Sequence, residues 1–458
     1  MVEQIHEKGA ARVPQNALWQ WRELREVLAQ AGLLSACDES EVSLTGVNVD
    51  SRLISAGQLF LALPGDPGDR FPTASRSQAD GHDYVQAAFD RGAAGAIVAR
   101  PIEATGATMQ VTDTYDALWA LGRAAAQRLP GAKIAVTGSS GKTTAKSMLQ
   151  QVFGGYASPG SFNNHIGVPL SLLNAPLSNK PAVFEIGTSS PGEIEPLASM
   201  VAPSVAVVLN VGVAHAENFP DHAALRKEKL SIFNSLQDKS NSVWEYSLGL
   251  DQGLSFGSAP AADVSLRSLE GDRAEITVCG ERVTTRVPGG GVHRAWTLCA
   301  VLACCRLLDV PLSSALELGG EVVPSGRGNV LQAGGRVIID DSYNANPDSM
   351  QHALDAFTAR QEAHKVYVIG EMLELGEAGP VAHAAIAARL SGQTAVLVGE
   401  AFAEPARAHG LEWFARADDA LLKRVEGLCP TGSAVIVKGS NRVFWQHDFV
   451  ARLNQRFS

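Results

Sequence analysis

No stretch of this chain is apolar for long enough to cross a bilayer. The longest, residues 295–308, contains Arg306 and falls well short of the roughly 20 residues a spanning helix needs. A secretory start is missing too: the chain opens Met-Val-Glu-Gln-Ile-His-Glu-Lys, with no basic segment leading into an apolar run. Basic charge is scarce. The formal net charge of -10 argues against a nucleic-acid surface as the main function, because such surfaces carry a basic face that attracts phosphates. An anionic small molecule stays possible, since a local pocket of cations holds phosphate within a protein that is acidic overall. Cysteine is sparse and unpatterned. The six, Cys37, Cys279, Cys299, Cys304, Cys305 and Cys429, contain no Cys-x-x-Cys pair, and three share one apolar helical stretch. They read as buried, reduced thiols, a pattern that suits a reducing cytosol better than a disulfide framework or a zinc site. These absences together point to a cytoplasmic protein, and a monomer is expected.

What is present is ordinary globular material. Hydrophobic residues make up 45% of the 458 and charged residues 19%, and a chain this long exceeds one core, so about three domains are expected. Residues 1–128 read as a small α/β domain. A short leader and a helix precede strands at 47–50, 58–63 and 96–99, with a helix over 82–91 and a polar surface loop over 64–80. Residues 129–320 alternate strands (the first near 133, then 182–186 and 204–210) with helices, which implies a mostly parallel sheet, and close with a helix over 293–308. Residues 321–458 repeat strand and helix, with strands at 336–340, 365–369, 395–398 and 434–437. That alternation is Rossmann-like, but no Gly-x-Gly-x-x-Gly accompanies it, so a dinucleotide is not indicated. The expected fold class is α/β in three domains: a small N-terminal α/β domain, a central P-loop ATPase-like parallel sheet and a C-terminal Rossmann-like open sheet.

The most informative segment begins at residue 133: Lys-Ile-Ala-Val-Thr-Gly-Ser-Ser-Gly-Lys-Thr-Thr-Ala-Lys-Ser-Met-Leu. An apolar strand runs through a small-residue turn into a helix whose Ala145, Met148, Leu149, Val152 and Phe153 form one apolar stripe. Small residues let the backbone N–H groups of Gly138, Ser139, Ser140 and Gly141 approach phosphate oxygens, and the helix offers its positive N-terminus. Lys142 is then placed to reach the β- and γ-phosphates and Thr143 to hold Mg²⁺, with Thr144 beside them. A strict Gly-x4-Gly-Lys-Thr loop has its first glycine at position 136, where this chain has Val136.

Further segments accompany the loop. They are Asn163-Asn164-His165-Ile166-Gly167-Val168-Pro169-Leu170, Glu185-Ile186-Gly187, Asn210-Val211-Gly212-Val213-Ala214-His215, Asp340-Asp341-Ser342-Tyr343-Asn344-Ala345-Asn346-Pro347, Met372-Leu373-Glu374-Leu375-Gly376 and Lys438-Gly439-Ser440. Taken in order with residues 137–144, they resemble the Mur ligases. Val49-Asp50-Ser51-Arg52, residues 57–63 and Asp80-Gly81-His82-Asp83 extend the similarity into the first domain, so it covers nearly all of the chain after residue 45. The run from Asp340 to Pro347 is most similar to the branch whose substrates are UDP-N-acetylmuramoyl-tripeptide, ending in meso-diaminopimelate or lysine, and D-alanyl-D-alanine.

The resemblance implies ATP-dependent amide formation. The substrate carboxylate takes the γ-phosphoryl group, and the incoming amine displaces phosphate from the acyl phosphate. It implies that Gly138 to Thr144, Asn164 and Asp341 bind ATP, and that Thr143 and Glu185 hold one Mg²⁺. His215 contributes to a second Mg²⁺ together with an N-carbamylated Lys229. Lys142 and Arg327 supply positive charge, Arg327 reaching phosphate as the domains close. Ser51 and Arg52 meet the uridine nucleotide, and Tyr343, Asn344 and Asn346 meet substrate. Plainer readings compete on the residues alone: a hydrogen-bonded structural histidine at 215, a solvated helix bearing Arg226, Lys227 and Lys229, a linker arginine at 327, and ordinary Asx turns near 51 and 344–347. Three positions depart from the family pattern. Arg294 follows His293 where an asparagine facing adenine is usual, residues 243–248 lack the usual Asn-x-Asp-Asp, and Glu371 replaces an aspartate. A ligase adding a single amino acid, or a noncatalytic nucleotide-binding relative, remain alternatives at this stage.

Overall fold

The computed structural model describes residues 17–68, 71, 76–212, 218–373 and 375–458. It divides into two compact units: Met1–Gly131 with His165–Asn179, and Ala132–Asn164 with Lys180–Ser458. The leader expected at the extreme N-terminus lies largely outside the described residues. Among those described, no helix is long and apolar enough to cross a membrane.

The first unit is built on a five-stranded sheet in the order Leu34–Cys37, Thr108–Val111, Gly95–Val98, Gln58–Leu61, Gly46–Asn48, with only the first strand antiparallel. Gly95–Val98 is buried along its whole length, as expected of a parallel strand covered on both faces. The amphipathic helix Trp21–Gln30 packs Trp21, Leu24 and Leu28 inward. Its indole sits so near Gly95 that a Cβ there would lie 2.3 Å from the Trp21 ring, so the close approach of helix to strand requires glycine. Residues 165–179, expected within 129–320, instead belong to this unit. The Asn174 side chain accepts from Val47 N–H (2.9 Å) and donates to Val47 C=O (2.9 Å), so an amide continues the hydrogen bonding of the sheet's edge. The indoles of Trp19 and Trp119 donate to the carbonyls of Leu173 and His165.

The second unit carries two sheets. The larger has the order Glu281–Arg286, Arg273–Val278, Val264–Glu270, Leu254–Gly257, Ser242–Glu245, Val205–Val208, Lys133–Thr137, Ala182–Glu185, parallel from Val264–Glu270 onward and extended at one side by two antiparallel strands. Val205–Val208 and the edge strand Ala182–Glu185 are buried throughout, and the helix Val292–Leu307 buries most of its circumference in the same core. The smaller sheet runs Asn329–Ala333, Arg336–Asp341, Ser433–Lys438, His364–Gly370, Ala395–Val398, Glu412–Phe414, with only the first strand antiparallel. This is the mostly parallel α/β class read from the alternation of strand and helix.

Of the six thiols, Cys299, Cys304, Cys305 and Cys429 are buried, and loss of water pushes Cys299, Cys305 and Cys429 up to about 12. Cys279 is exposed and Cys37 half-buried, which corrects the expectation that all six are buried. Cys37 ends a short strand and Cys279 lies in the turn just after one.

Substituting Gly95→Ala should destabilise the first unit by about 1–3 kcal/mol, because the added methyl overlaps a fully packed indole. Urea unfolding followed by tryptophan fluorescence tests this, and Trp21→Leu in the same chain should remove most of the penalty of the extra methyl.

Candidate active site

Three parallel strands of the larger sheet, Lys133–Thr137, Ala182–Glu185 and Val205–Val208, end on the same side and deliver the phosphate loop, Glu185 and Asn210. Ligands bind beyond such carboxyl ends. The loop turns with Gly141 at φ 82°, a left-handed conformation that opens the helix Lys142–Phe153 without a side-chain cap. Its first N–H groups are therefore left for a ligand. Asn210 braces the loop: its Oδ1 accepts from Ser140 N–H (2.9 Å) and its Nδ2 donates to Ser140 C=O (3.1 Å). Ser139 N–H donates to Asn210 C=O (3.2 Å), and Ser139 Oγ accepts from Gly212 N–H (2.9 Å). Lys142 folds its Nζ back onto the Gly138 carbonyl at 2.7 Å, and loss of water is the main force pushing its ammonium down, against the raising effect of the Glu185 charge.

Glu185 ends a wholly buried strand and is 1% exposed. Leaving a carboxylate uncompensated there is costly, and three side chains answer it. Thr143 Oγ1 donates to Oε2 at 3.1 Å and Asn163 Nδ2 donates to Oε1 at 2.8 Å. Lys146 Nζ stands 3.5 Å from Oε2 with both side chains almost wholly enclosed, and Ser158 Oγ accepts from the Glu185 N–H at 3.4 Å. The carboxylate and the Thr143 hydroxyl are a hard oxygen donor pair. Among the described residues no group of three or more His, Cys, Asp or Glu gathers as a metal cluster. A two-oxygen site suits Mg²⁺, which keeps waters and takes its remaining ligands from phosphates.

The smaller sheet faces these groups across one cavity of about 420 Å³. Arg327, Asp341, Tyr343, Asn344 and Asn346 line it from one side and residues 139–144, Asn163, Glu185 and Asn210 from the other. The Arg327 guanidinium lies 4.0 Å over the Tyr343 ring and donates to Ser161 Oγ (3.4 Å), to which Tyr343 OH also donates (3.1 Å). Asp341 pairs with the buried Lys438 at 2.8 Å, and Lys438 also donates to Asn344 C=O (3.2 Å). Asn346 caps the helix Pro347–Thr358 by accepting from Ser349 N–H (2.8 Å). Asp340, its neighbour in the motif, is structural: it accepts from Gly326 N–H (2.9 Å) and Ser342 Oγ (2.5 Å), and burial pushes its carboxyl up.

Gly138 and Asn164 are not among the lining residues; Asn163, next to Asn164, is. Lys229 ends the helix His222–Leu230 at 2% exposure, so it is no part of a solvated charge run. Its amine is pushed down to about 7, first by loss of water, then by the like charge of Lys142, against the raising effect of Glu228. Glu228 is committed elsewhere. It accepts from the N–H groups of Gly192, Glu193 and Ile194 at 2.7, 2.9 and 2.8 Å, capping the helix Ile194–Val201. His215 lies outside the described residues, as does Glu374. Ser51 and Arg52 belong to the first unit, in a turn where Arg52 makes two bonds to Asp50 and Asp50 accepts from Arg52 N–H.

Sequence reasoning passed over Lys146, Asn163, Asn210 and Lys438 as site residues. All four stand inside quoted segments. One of them, Lys146, had a signal of its own: a cation one helical turn after Lys142, flanked by the apolar stripe of Ala145 and Met148. Lys146→Met should destabilise the protein by about 3–5 kcal/mol, because it strands a buried carboxylate. Adding Glu185→Gln should recover much of that loss, and denaturant unfolding of the two single variants and the pair measures the coupling.

The sequence matches the Mur ligase middle domain over residues 136–248 and the Mur ligase glutamate ligase domain over residues 326–441. It is 32% identical over 366 residues to the UDP-N-acetylmuramoyl-tripeptide–D-alanyl-D-alanine ligase of Bacillus subtilis, spanning 76% of this chain and 77% of that one. A crystal structure of MurF from Acinetobacter baumannii shares the fold at a TM-score of 0.80 and 27% identity, over 95% of this chain and 99% of that one. MurF ligase from Thermotoga maritima, solved with ADP, does so at 0.74 and 27%, over 90% and 98% of the two chains. With its phosphate loop, buried strand-end carboxylate and facing Rossmann-like sheet, this chain belongs to the Mur ligase family.

Proposed function

We propose that this chain is the ATP-dependent ligase that joins D-alanyl-D-alanine to UDP-N-acetylmuramoyl-tripeptide, forming a pentapeptide precursor of peptidoglycan with ADP and phosphate. The observation that carries the reading is one cavity in which a phosphate loop and a buried carboxylate face the polar Asp341–Asn346 cluster, in a chain whose relatives are ligases of that name. It works in the cytoplasm, as a monomer, in the pathway that supplies the cell wall and so shape and division. Residues 129–320 hold ATP, residues 321–458 bring the dipeptide and close on ATP, and the N-terminal unit holds the nucleotide end of the acceptor through Ser51 and Arg52.

The chemistry proceeds in two displacements. A carboxylate oxygen of the tripeptide attacks the γ-phosphorus of ATP, the bond to the β,γ-bridging oxygen breaks, and ADP leaves. The dipeptide nitrogen then attacks the acyl carbon, the carbon–oxygen bond breaks, and phosphate leaves. An α-ammonium with a reference pKa near 8 sheds its proton readily enough to attack as the free amine. The obstacle is charge, because a carboxylate must approach a polyanion. Lys142 and Arg327 oppose that repulsion, and the N–H groups of Gly141 to Thr144 at the start of the helix hold phosphate oxygens with no reorganisation at the moment of transfer. Thr143 and Glu185 would hold Mg²⁺, which when bound neutralises the β- and γ-phosphates. Asp341 serves ATP, and Tyr343, Asn344 and Asn346 serve the substrate.

His215 and Lys229, the latter as a carbamate, would hold a second Mg²⁺. Only the uncharged amine adds carbon dioxide, and a buried lysine brought down to about 7 supplies it at neutral pH. The new nitrogen–carbon bond forms as the nitrogen loses a proton, turning a repelling cation into an oxygen ligand. Relative to an unfolded value of 10.5, the folded chain binds the Lys229 proton more weakly, so between about pH 7 and 10.5 the penalty of burying this residue shrinks as pH rises. With a pKa of about 7 the uncharged share grows from about a tenth at pH 6 to about nine-tenths at pH 8. In ¹³C-bicarbonate, carbon NMR should therefore show a carbamate signal that strengthens over this range and is missing in Lys229→Ala. A pH-independent signal, or one that survives the substitution, removes Lys229 from the mechanism.

The function itself is tested by phosphate release. Release should require ATP, the UDP-muramoyl-tripeptide and D-alanyl-D-alanine together, and the product mass should carry the dipeptide increment. A product bearing one amino acid, or release without the dipeptide, rules the assignment out.

A further inference from the structure

Arg294 stands where the position is least hospitable to a cation: in the first turn of the helix Val292–Leu307, 7% exposed, at the positive end of the helix dipole. Its hydrogen bonds all go to backbone carbonyls. Nη1 donates to Gly289 (2.8 Å) and Gly290 (3.0 Å), and Nη2 donates to Arg327 (3.1 Å) and Gly328 (3.3 Å). The first pair belongs to the turn that leads into the helix on the larger sheet, the second to the segment that enters the smaller sheet. Glycine makes the socket on both sides. A Cβ at Gly328 would lie 1.8 Å from Nη2, and one at Gly289 would lie 3.2 Å from Nε; both residues have left-handed φ, 85° and 72°. A lysine presents three donors from a point, whereas the planar fork reaches both pairs of carbonyls at once.

We propose that Arg294 is a positioning residue for Arg327, pinning its backbone so that the Arg327 guanidinium, stacked on Tyr343, is aimed at the triphosphate held by the phosphate loop. This deepens the ligase reading and rests on it. A cation held at a helix N-terminus without a carboxylate bond is costly in itself, and what it secures is the relation between the two sides of the cavity. An error of about 1 Å in the placement of a charged group can lower turnover about a hundredfold, so a rigid pin at this point acts on rate without touching substrate.

The test is a double-mutant cycle in the full-length enzyme. Arg294→Ala and Arg327→Ala should each lower kcat by about tenfold to a hundredfold, and the double variant should be no slower than Arg327→Ala alone. Arg294→Lys should fall between wild type and Arg294→Ala, and Gly328→Ala, which fills the socket, should imitate Arg294→Ala. Affinity for Mg-ATP by calorimetry, run on the same four proteins without acceptor, should show the same non-additivity. That measurement separates the inference from the assignment, because wild-type turnover that fails with the tripeptide and dipeptide removes the assignment and leaves the ATP cycle standing. Losses that multiply in the double variant, or an Arg294→Ala enzyme with wild-type kcat and ATP affinity, overturn the inference. Should Arg294→Ala melt below the assay temperature, the cycle is run with Arg294→Lys, and multiplying losses there overturn it equally.

Discussion

The site depends on one buried carboxylate. Glu185 closes an apolar edge strand of the larger sheet that is buried along its whole length, where an isolated charge is not tolerated, so its neighbours are obliged to answer it. The Thr143 hydroxyl and the Lys146 ammonium come from one helix and the Asn163 amide from another segment, and holding all three fixes the helix after the phosphate loop against the loop that follows residue 158. The Lys142 ammonium feels the same charge, which offsets part of what burial takes from it. A site assembled this way is preorganised: its polar groups are oriented before a nucleotide arrives, and no water has to be rearranged during transfer.

A second constraint is where the backbone must pass close to something. Gly141 needs a left-handed φ for the loop to turn into its helix, and Gly328 leaves room for a guanidinium that a methyl would strike. Between these points Asn210 serves as a rigid spacer, with one side chain meeting both the N–H and the C=O of Ser140. Small residues and amides therefore shape the cavity, and the charged residues work within a form already made. Arg294 is the exception, being itself a structural element in a place where the family resemblance implies an asparagine.

Much of this was legible before any coordinates. The phosphate loop, the strand-end position of Glu185 and the strand–helix alternation of residues 321–458 follow from local patterns of apolar and small residues, and strand 395–398 falls where it was read. Other features were not legible because no local pattern encodes them. The antiparallel strand 281–286 barely alternates, and pairing with its neighbour 273–278 is what makes it a strand. The segment 165–179 sits in sequence between strands of the larger sheet, yet Asn174 ties it to Val47, 127 positions away. Apart from the family resemblance, Lys229 reads as one cation among several on a helix, and burial is what separates it from Arg226 and Lys227.

The sequence by itself determined which chemistry is available: a loop that cradles phosphate, oxygen donors for a hard cation, and cations enough to oppose a polyanion, because those depend on residue type and short spacing. Tertiary structure alone decided how those groups are tuned. The pKa of about 7 at Lys229, the choice of Asn163 over Asn164 at the carboxylate, and the use of Arg294 as a brace between two sheets all depend on distances between segments far apart in the chain. Loss of water and the approach of a like charge are properties of a place, and a place exists only once the chain has folded.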